Sequence, residues 1–346
     1  MLKYPQDKLA LLDEPNGNMM IIAPPGCGKT EALALRAKGI LERGKLSPKR
    51  ILALAFSNRA RDNIGARLSE LLGEANYGKI VSASNFHGFS ARVYAAHAST
   101  IELSADADMP QKGWLNNTLK SLGAGYDTRR IETLISRTKL HPISDDEVIS
   151  QLESAGETIA ALAEKRRIEE GRLDFPDLLR HAQRLLAEDS VARLYRMHFG
   201  IVLVDEFQDL TEQQLDIVCA ISNNNLTFAG DPGQAIFSFT GANVDAVQTR
   251  IRNLPDLRVV TFSTSYRSSP AVLNLVSTIG RSIGSPQVLS ANPSKWPGGG
   301  LVACCQYETQ TDEARAVKNI VDCIIGPRND VSVGIISRVF YRRLTV

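Results

Sequence analysis

Apolar runs of strand length recur along the chain and alternate with longer stretches in which apolar positions fall three and four apart. The runs are MMIIAP (19–24), ILALAF (51–56), KIVSAS (79–84), IVLVDE (201–206), LTFAGD (226–231) and RVVTFS (258–263). Strands without a polar alternation, separated by helical patterns, predict a parallel sheet covered on both faces, the layout of an α/β protein. Between about residues 95 and 195 the strand runs stop and the pattern turns polar and helical, which predicts a helical insertion. Inside it, Ser144 followed three residues later by Glu147 predicts a capping box, with Ile143 and Val148 as its hydrophobic staple. PSKWPGGG (293–300) is dense in turn formers and predicts a boundary between the main sheet and a short α/β tail.

Composition narrows the class. The 346 residues are 43% hydrophobic and 23% charged, which suits two soluble domains, or one with a large insertion, and excludes disordered, fibrous and membrane-spanning chains. Lys and Arg number 40 against 38 Asp and Glu, a net charge of +2, so a nucleic-acid contact must come from a local groove and not from a basic coat. The cysteines at 27, 219, 304, 305 and 323 form no C-x-x-C pair; reduced thiols and a cytoplasmic location are expected. Charges run through MLKYPQDKLALLDEPN, and no later apolar run approaches the ~18 residues of a span, so neither export nor membrane insertion is expected.

The chemistry-bearing residues follow the apolar runs. APPGCGKT (Ala23, Pro24, Pro25, Gly26, Cys27, Gly28, Lys29, Thr30) lies between a strand and a helical stretch, the context of a phosphate-binding loop. Its small residues let backbone N–H groups curl around phosphates, Lys29 neutralises them, and the Thr30 hydroxyl holds Mg²⁺. Ala23 stands where the usual pattern has glycine, and Cys27 reads as a small loop filler. IVLVDEFQD ends a strand in carboxylates, placing Asp205 to hold Mg²⁺ and Glu206 to activate water. Gln208 and Asp209 gain no role from the nucleotide chemistry alone. LTFAGDPGQ ends another strand in Gly230, Asp231 and Gln234, an amide suited to sensing a γ-phosphate; Phe237 and Phe239 beyond it suit either the core or the stacking of bases. His87 suits packing or a DNA contact, while His97, His141, His181 and His198 lack ligand spacing and read as surface histidines. Arg129-Arg130 and Lys165-Arg166-Arg167 are candidates for phosphate contact; the second, beside Glu164, Glu169 and Glu170, reads as a solvated helix face.

In this order the motifs resemble those of the UvrD/Rep group of superfamily 1 DNA helicases. Gln6 in YPQ resembles that family's adenine-reading glutamine, and APPGCGKT its first motif. ALAFSNRARDNIGARL resembles a single-strand-contacting segment, which gives Ser57, Asn58 and Arg59; SNFHGFSARV resembles another, which gives Phe86 and His87. DFPDLL (174–179), DEFQD, the glycine-aspartate-glutamine run and SYRSS (265–269) complete the series, with Tyr266 packing on adenine and Arg267 approaching the γ-phosphate. Phe239 replaces the usual tryptophan, Thr240 an arginine and Ser265 an asparagine. A P-P-G-C-G-K-T run is also common in AAA-type ATPases, but the F-Q-D, G-D-P-x-Q and Y-R-S-S runs weigh against that class.

The resemblance implies an ATP- and Mg²⁺-dependent helicase or translocase moving 3′-to-5′ on single-stranded or partly duplex DNA. It implies a RecA-like lobe over 1–94 and 196–270, a helical insertion over 95–195, and the opening of a second motor lobe over 271–346. The later motifs of that second lobe do not appear. The other expectation is therefore an ATP-gated DNA-binding half-motor or regulatory subunit, inactive alone and completed by a partner protein or by self-association.

Overall fold

The computed structural model describes residues 6–44, 46, 49–235, 243–282, 284–326 and 331–336. At its centre six parallel strands form one sheet: β1 (Met19–Ile22), β2 (Arg50–Ala55), β3 (Val81–Asn85), β4 (Phe199–Asp205), β5 (Leu226–Gly230) and β6 (Arg258–Thr261), in the order β3-β2-β4-β5-β1-β6. Every apolar run lies on one of these strands. The run at 79–84 starts late because Lys79 and Ile80 still belong to the preceding helix.

Period-two alternation splits β1, β2, β4 and β5 between two cores. Met19 and Ile21 join Ile51, Ala53, Ile201, Leu203 and Ala229 on one face, while Met20 joins Leu52, Leu54, Val202, Val204, Leu226 and Phe228 on the other. The first face is covered by α1 (Gln6–Asp13), α2 (Lys29–Glu42), α3 (Asn58–Leu72) and α4 (Glu74–Ile80). On the second face, α5 (Phe86–His97) lays Phe86, Phe89 and Val93 into the core.

Four helices then leave the sheet: α6 (Trp114–Ser121), α7 (Thr128–Thr138), α8 (Asp145–Ser154) and α9 (Thr158–Glu169). Leu119, Ile131, Ile135, Val148, Leu152, Ala160 and Ala163 give them a core of their own. The expected capping box forms at the start of α8: Glu147 N–H donates to Ser144 Oγ and Ser144 N–H to the Glu147 carboxylate. Val148 is buried, and Ile143 packs against the same cluster.

The chain returns with α10 (Phe175–Ala187) and α11 (Asp189–His198), followed by α12 (Glu212–Ala220) and α13 (Val244–Arg252). The sequence pattern groups α10 and α11 with the insertion. In the structure their Leu178, Leu179, Leu185, Leu186 and Val191 lie in the sheet's core cluster. The polar helical pattern is common to both sets of helices, and only the partner surface separates them.

Past β6, the pair β7 (Thr264–Ser265) and β8 (Leu289–Ser290) flanks α14 (Pro270–Arg281), whose Leu273 reaches the first-face core. The 293–300 turn has left-handed backbone at Gly298, Gly299 and Gly300. Beyond it α15 (Gln310–Ile325) buries none of its side chains, and Leu301 and Ile336 are 85% and 93% exposed. A short α/β tail was expected past this turn; its helix forms, while the described residues at 301–306 and 331–336 carry no strand. No helix among the described residues is long and apolar enough to cross a membrane.

Candidate nucleotide site and DNA-facing cleft

β1 hands the chain to Ala23, whose N–H donates to Gly230 O at 2.9 Å, so the loop leaves the sheet pinned to β5. Cys27 N–H donates back to Pro24 O at 3.1 Å, and Gly26 and Gly28 both take φ +78°, where a side chain would be strained. Ala23, Pro24 and Cys27 are buried as the floor of the loop; Pro25, Gly26, Gly28, Lys29 and Thr30 are half-buried at the start of α2. Free amide N–H groups and the helix dipole make that position a ready anion site.

The segment Ser265–Arg267 sits directly on this loop. Tyr266 N–H donates to Gly26 O at 3.0 Å, and a Cβ at Gly26 would fall 2.8 Å from Arg267 Cβ and collide with Ser265 Oγ. A fully buried Ser265 fills the space that contact leaves. Tyr266 and Arg267 are exposed beside the loop.

β4 delivers the acidic residues to the same edge. Lys29 Nζ lies 2.7 Å from Glu206 Oε2, and Glu206 takes left-handed backbone angles (φ 55°, ψ 53°). For a non-glycine residue this costs about 1 kcal/mol or more, a strain that concentrates at working sites. Burial, and next the Glu206 charge, push Asp205 up to about 7 against the pull of Lys29. The same two causes push Asp209 up to about 6. Three carboxylates, Asp205, Glu206 and Asp209, therefore share the charge of Lys29. A hydroxyl at Thr30 and a carboxylate at Asp205 are hard oxygen donors of the kind Mg²⁺ prefers, and a divalent cation would relieve the excess.

Gln208 is the residue that sequence reasoning missed. Its Nε2 donates to Glu206 Oε2 at 2.9 Å and its Oε1 accepts from Asp231 N–H at 3.0 Å. Asp231 in turn accepts from Gln234 Nε2 at 2.6 Å and from Gly233 N–H at 3.0 Å. One continuous hydrogen-bonded path thus joins Lys29, Glu206, Gln208, Asp231 and Gln234. Gly230 makes room for it, since a Cβ there would lie 2.5 Å from Gln208 Oε1. The only trace in the sequence is an amide two residues after Glu206. Gln6 opens α1, but its side chain, like the whole of Phe237, Phe239 and Thr240, lies outside the described residues.

The proposed strand contacts divide in the structure. Ser57, Asn58 and Arg59 are exposed just past β2. Ser57 Oγ caps α3 by accepting from Ala60 N–H at 3.1 Å, and Asn58 Oδ1 accepts from Asn85 Nδ2 at 2.7 Å. Phe86 does not join them: it is 1% exposed, its ring packed in the core with Leu52 and Leu54, and it has no surface to offer a strand. The residue after it does face outward. His87 meets Phe175 edge to face at 5.9 Å, and burial holds its ring below the usual imidazole range, so it is a neutral packing surface. Both line a cleft of about 490 Å³ with Phe56 and with Arg129 and Arg137 from α7. Phe56 and Phe175 were also missed, although each flanks a motif residue.

Residues 4–255 match the family model described as the UvrD/REP helicase N-terminal domain. The chain belongs to the UvrD/REP helicase family. It is 25% identical over 354 aligned residues to the ATP-dependent DNA helicase UvrD1 of Mycobacterium leprae, covering 93% of this chain and 45% of that protein. It is 26% identical to the ATP-dependent DNA helicase PcrA of Staphylococcus epidermidis, covering 87% and 43%, and 26% identical to DNA helicase II of Salmonella typhimurium, covering 77% and 38%. The chain spans less than half the length of these relatives.

Two expectations about this family member's charged residues are corrected beneath the insertion. His181, read as a surface residue, is 1% exposed, and Arg167, read as part of a solvated face, is 2% exposed. Arg167 bonds Glu164, Asp145 and the Arg172 carbonyl; Arg180 bonds Asp177, Asp145 and the Ile143 carbonyl. Lys139 Nζ contacts Glu164, Asp174 and Asp177 at 2.8 to 3.1 Å. Though burial opposes it, Lys139, Arg167 and Arg180 hold Asp177 well below the usual carboxylate range. Its neighbour Asp174 is pushed up to about 7 by burial and by the Asp177 charge. Burial and then Arg180 lower His181 to about 3.

Proposed function

We propose that this chain binds Mg²⁺-ATP at residues 23–30 and hydrolyses it to work on DNA, gripping a single strand and moving 3′-to-5′. The observation that carries the reading is the Lys29–Glu206 contact at the open C-terminal edge of a parallel sheet, with a hydrogen-bonded path running on to Gln234. Lys29 and the amides that open α2 bind the β- and γ-phosphates. Thr30 and Asp205 would hold Mg²⁺, which when bound neutralises charge building on the phosphates. Glu206 orients water in line with the γ-phosphate and accepts its proton. To do so it exchanges the Lys29 contact for the water as the phosphates take Lys29. Gln208 and Asp231 tie the position of Glu206 to that of Gln234, and Arg267 completes the γ-phosphate end while Tyr266 packs on the base.

The strand's path on this reading crosses the exposed residues Ser57, Asn58 and Arg59 and the cleft of Phe56, His87 and Phe175, whose rings stack bases without regard to sequence. The described cysteines are free thiols, which supports a cytoplasmic setting. The test is steady-state ATP hydrolysis with and without single-stranded DNA. Turnover stimulated by DNA and absent in Glu206→Gln is expected; binding of ATP and DNA with no turnover in either protein would sink the hydrolysis assignment. Unwinding of a 3′-tailed but not a 5′-tailed duplex tests the direction.

A further inference from the structure

The base end of the nucleotide site contains a cation that no motif includes. Lys8 on α1 is 2% exposed, and its Nζ lies 4.5 Å from the centroid of the Tyr266 ring and 5.6 Å from that of Phe262. On its other side it meets the phosphate loop, since a Cβ added at Gly28 would be 2.5 Å from Lys8 Nζ. The placement is enforced at the far end of α1. Gly39 on α2 lacks the Cβ that would collide with the Leu12 backbone, and Arg36 and Arg43 donate to the carbonyls of Leu12, Glu14 and Pro15. With its last turn locked on α2, α1 carries Lys8 to the start of the same helix.

We infer that Lys8 is a positioning residue that couples base recognition to the phosphate loop, by holding the Tyr266 ring on one face and Gly28 with the same ammonium. This rests on the ATP site proposed above. An ammonium over a ring face is attracted by the ring quadrupole, more strongly when desolvated, and it polarises the ring toward a second π system on the opposite face. Tyr266 remains 43% exposed, which leaves surface for a planar base, while its backbone N–H is held by Gly26. Lys8 thereby sets the ring's angle and its distance from Gly28 together. Phosphates alone do not need that setting; a nucleotide spanning both ends does.

The test compares equilibrium binding of Mg²⁺-ATP, Mg²⁺-UTP and Mg²⁺-tripolyphosphate by calorimetry in the wild-type chain, Lys8→Met and Lys8→Gln, with thermal melting alongside. Both variants should weaken ATP about tenfold and shrink the ATP-to-UTP preference by a similar factor, with tripolyphosphate affinity held within about twofold. In a Tyr266→Leu background Lys8→Met should change nothing further. An unchanged ATP-to-UTP ratio in a folded variant overturns the inference. Equal losses for all three ligands also overturn it, by making Lys8 a phosphate cation, and so does failure of both variants to fold, by making it purely structural. The ATP-site reading is separated by Lys29→Ala, which should lose all three ligands whatever Lys8 does; a wild-type chain that binds none of them defeats that reading as well.

Discussion

At the open edge of the sheet, Asp205, Glu206 and Asp209 gather round Lys29; Lys29 and Glu206 reach solvent, while Asp205 and Asp209 are buried and are pushed upward by burial and by the Glu206 charge. Beneath the insertion, Asp145, Glu164, Asp174 and Asp177 interleave with Lys139, Arg167 and Arg180, and Lys139, Glu164, Arg167, Asp177 and Arg180 are sealed from solvent. Both clusters shift their acids, so a shifted acid alone does not mark function. What separates them is compensation. The sealed cluster finds its cations within the chain and ties α7, α8 and α9 to α10, whereas at the edge three carboxylates share Lys29 and Glu206 is strained, which suits the proposed binding of Mg²⁺ with a nucleotide.

The comparison breaks first if Lys29 and Lys139 respond alike. Lys29→Ala should abolish nucleotide binding, and Glu206→Gln should keep binding while cutting turnover by about 10²–10⁴-fold; equal loss of binding in the two would remove the distinction between their roles. Stability should reverse the order. Lys139→Met takes the cation from Asp174 and one of the cations from Asp177 and Glu164 in a buried site, and should cost about 3–5 kcal/mol in urea unfolding. Lys29→Met, at an accessible edge, should stay within about 0.5–1 kcal/mol.

The sheet was legible from the sequence because buried parallel strands are apolar on both faces, and Met19 to Ile22 or Ile201 to Val204 have no other stable place. The shape of the 23–30 loop was legible because its glycines are demanded by local backbone geometry, Gly26 and Gly28 both taking φ +78°. Legibility failed where a residue's meaning depends on a distant partner. Arg167 has the same neighbours in sequence as a surface arginine, and only the arrival of Asp145 and Asp177 buries it. Phe86 and His87 are adjacent in one motif, and helix geometry sends one into the core and the other to the cleft. Gln208 acquires its role because β5 brings Asp231 alongside β4.

Acid should act through His181 in a direction opposite to that through Asp174. His181 is neutral in the folded chain because burial and Arg180 lower it to about 3, whereas in the unfolded chain it takes up a proton near pH 6.5. The unfolded state therefore binds more protons between those values, so the contribution of His181 is fully present above about pH 6.5 and is lost as pH falls toward 3. Between pH 7 and 4.5 the His181 share should be on the order of 2 kcal/mol, read as the difference in urea midpoints between the wild-type chain and His181→Gln, because Asp174, pushed up to about 7, changes stability in the opposite direction over the same window. His181→Gln should flatten that segment of the profile; an unchanged slope would assign the acid sensitivity to the carboxylates instead.

The smallest effect tests the place where the two regions meet. Phe175 follows the N-cap Asp174 and precedes Asp177 on α10, so the first turn of one helix turns charges inward and an aromatic ring toward the cleft. On this view the sealed cluster serves the cleft by fixing that turn. Phe175 is 49% exposed, so Phe175→Ala should leave unfolding nearly unchanged and weaken binding of a thymidine oligonucleotide by roughly 1 kcal/mol, the low end for a stacking ring. Fluorescence anisotropy at fixed salt measures it, and the salt dependence should not move because no phosphate contact is lost. If stability falls while DNA affinity holds, Phe175 belongs with the sealed cluster, and the strand must take a path that avoids α10.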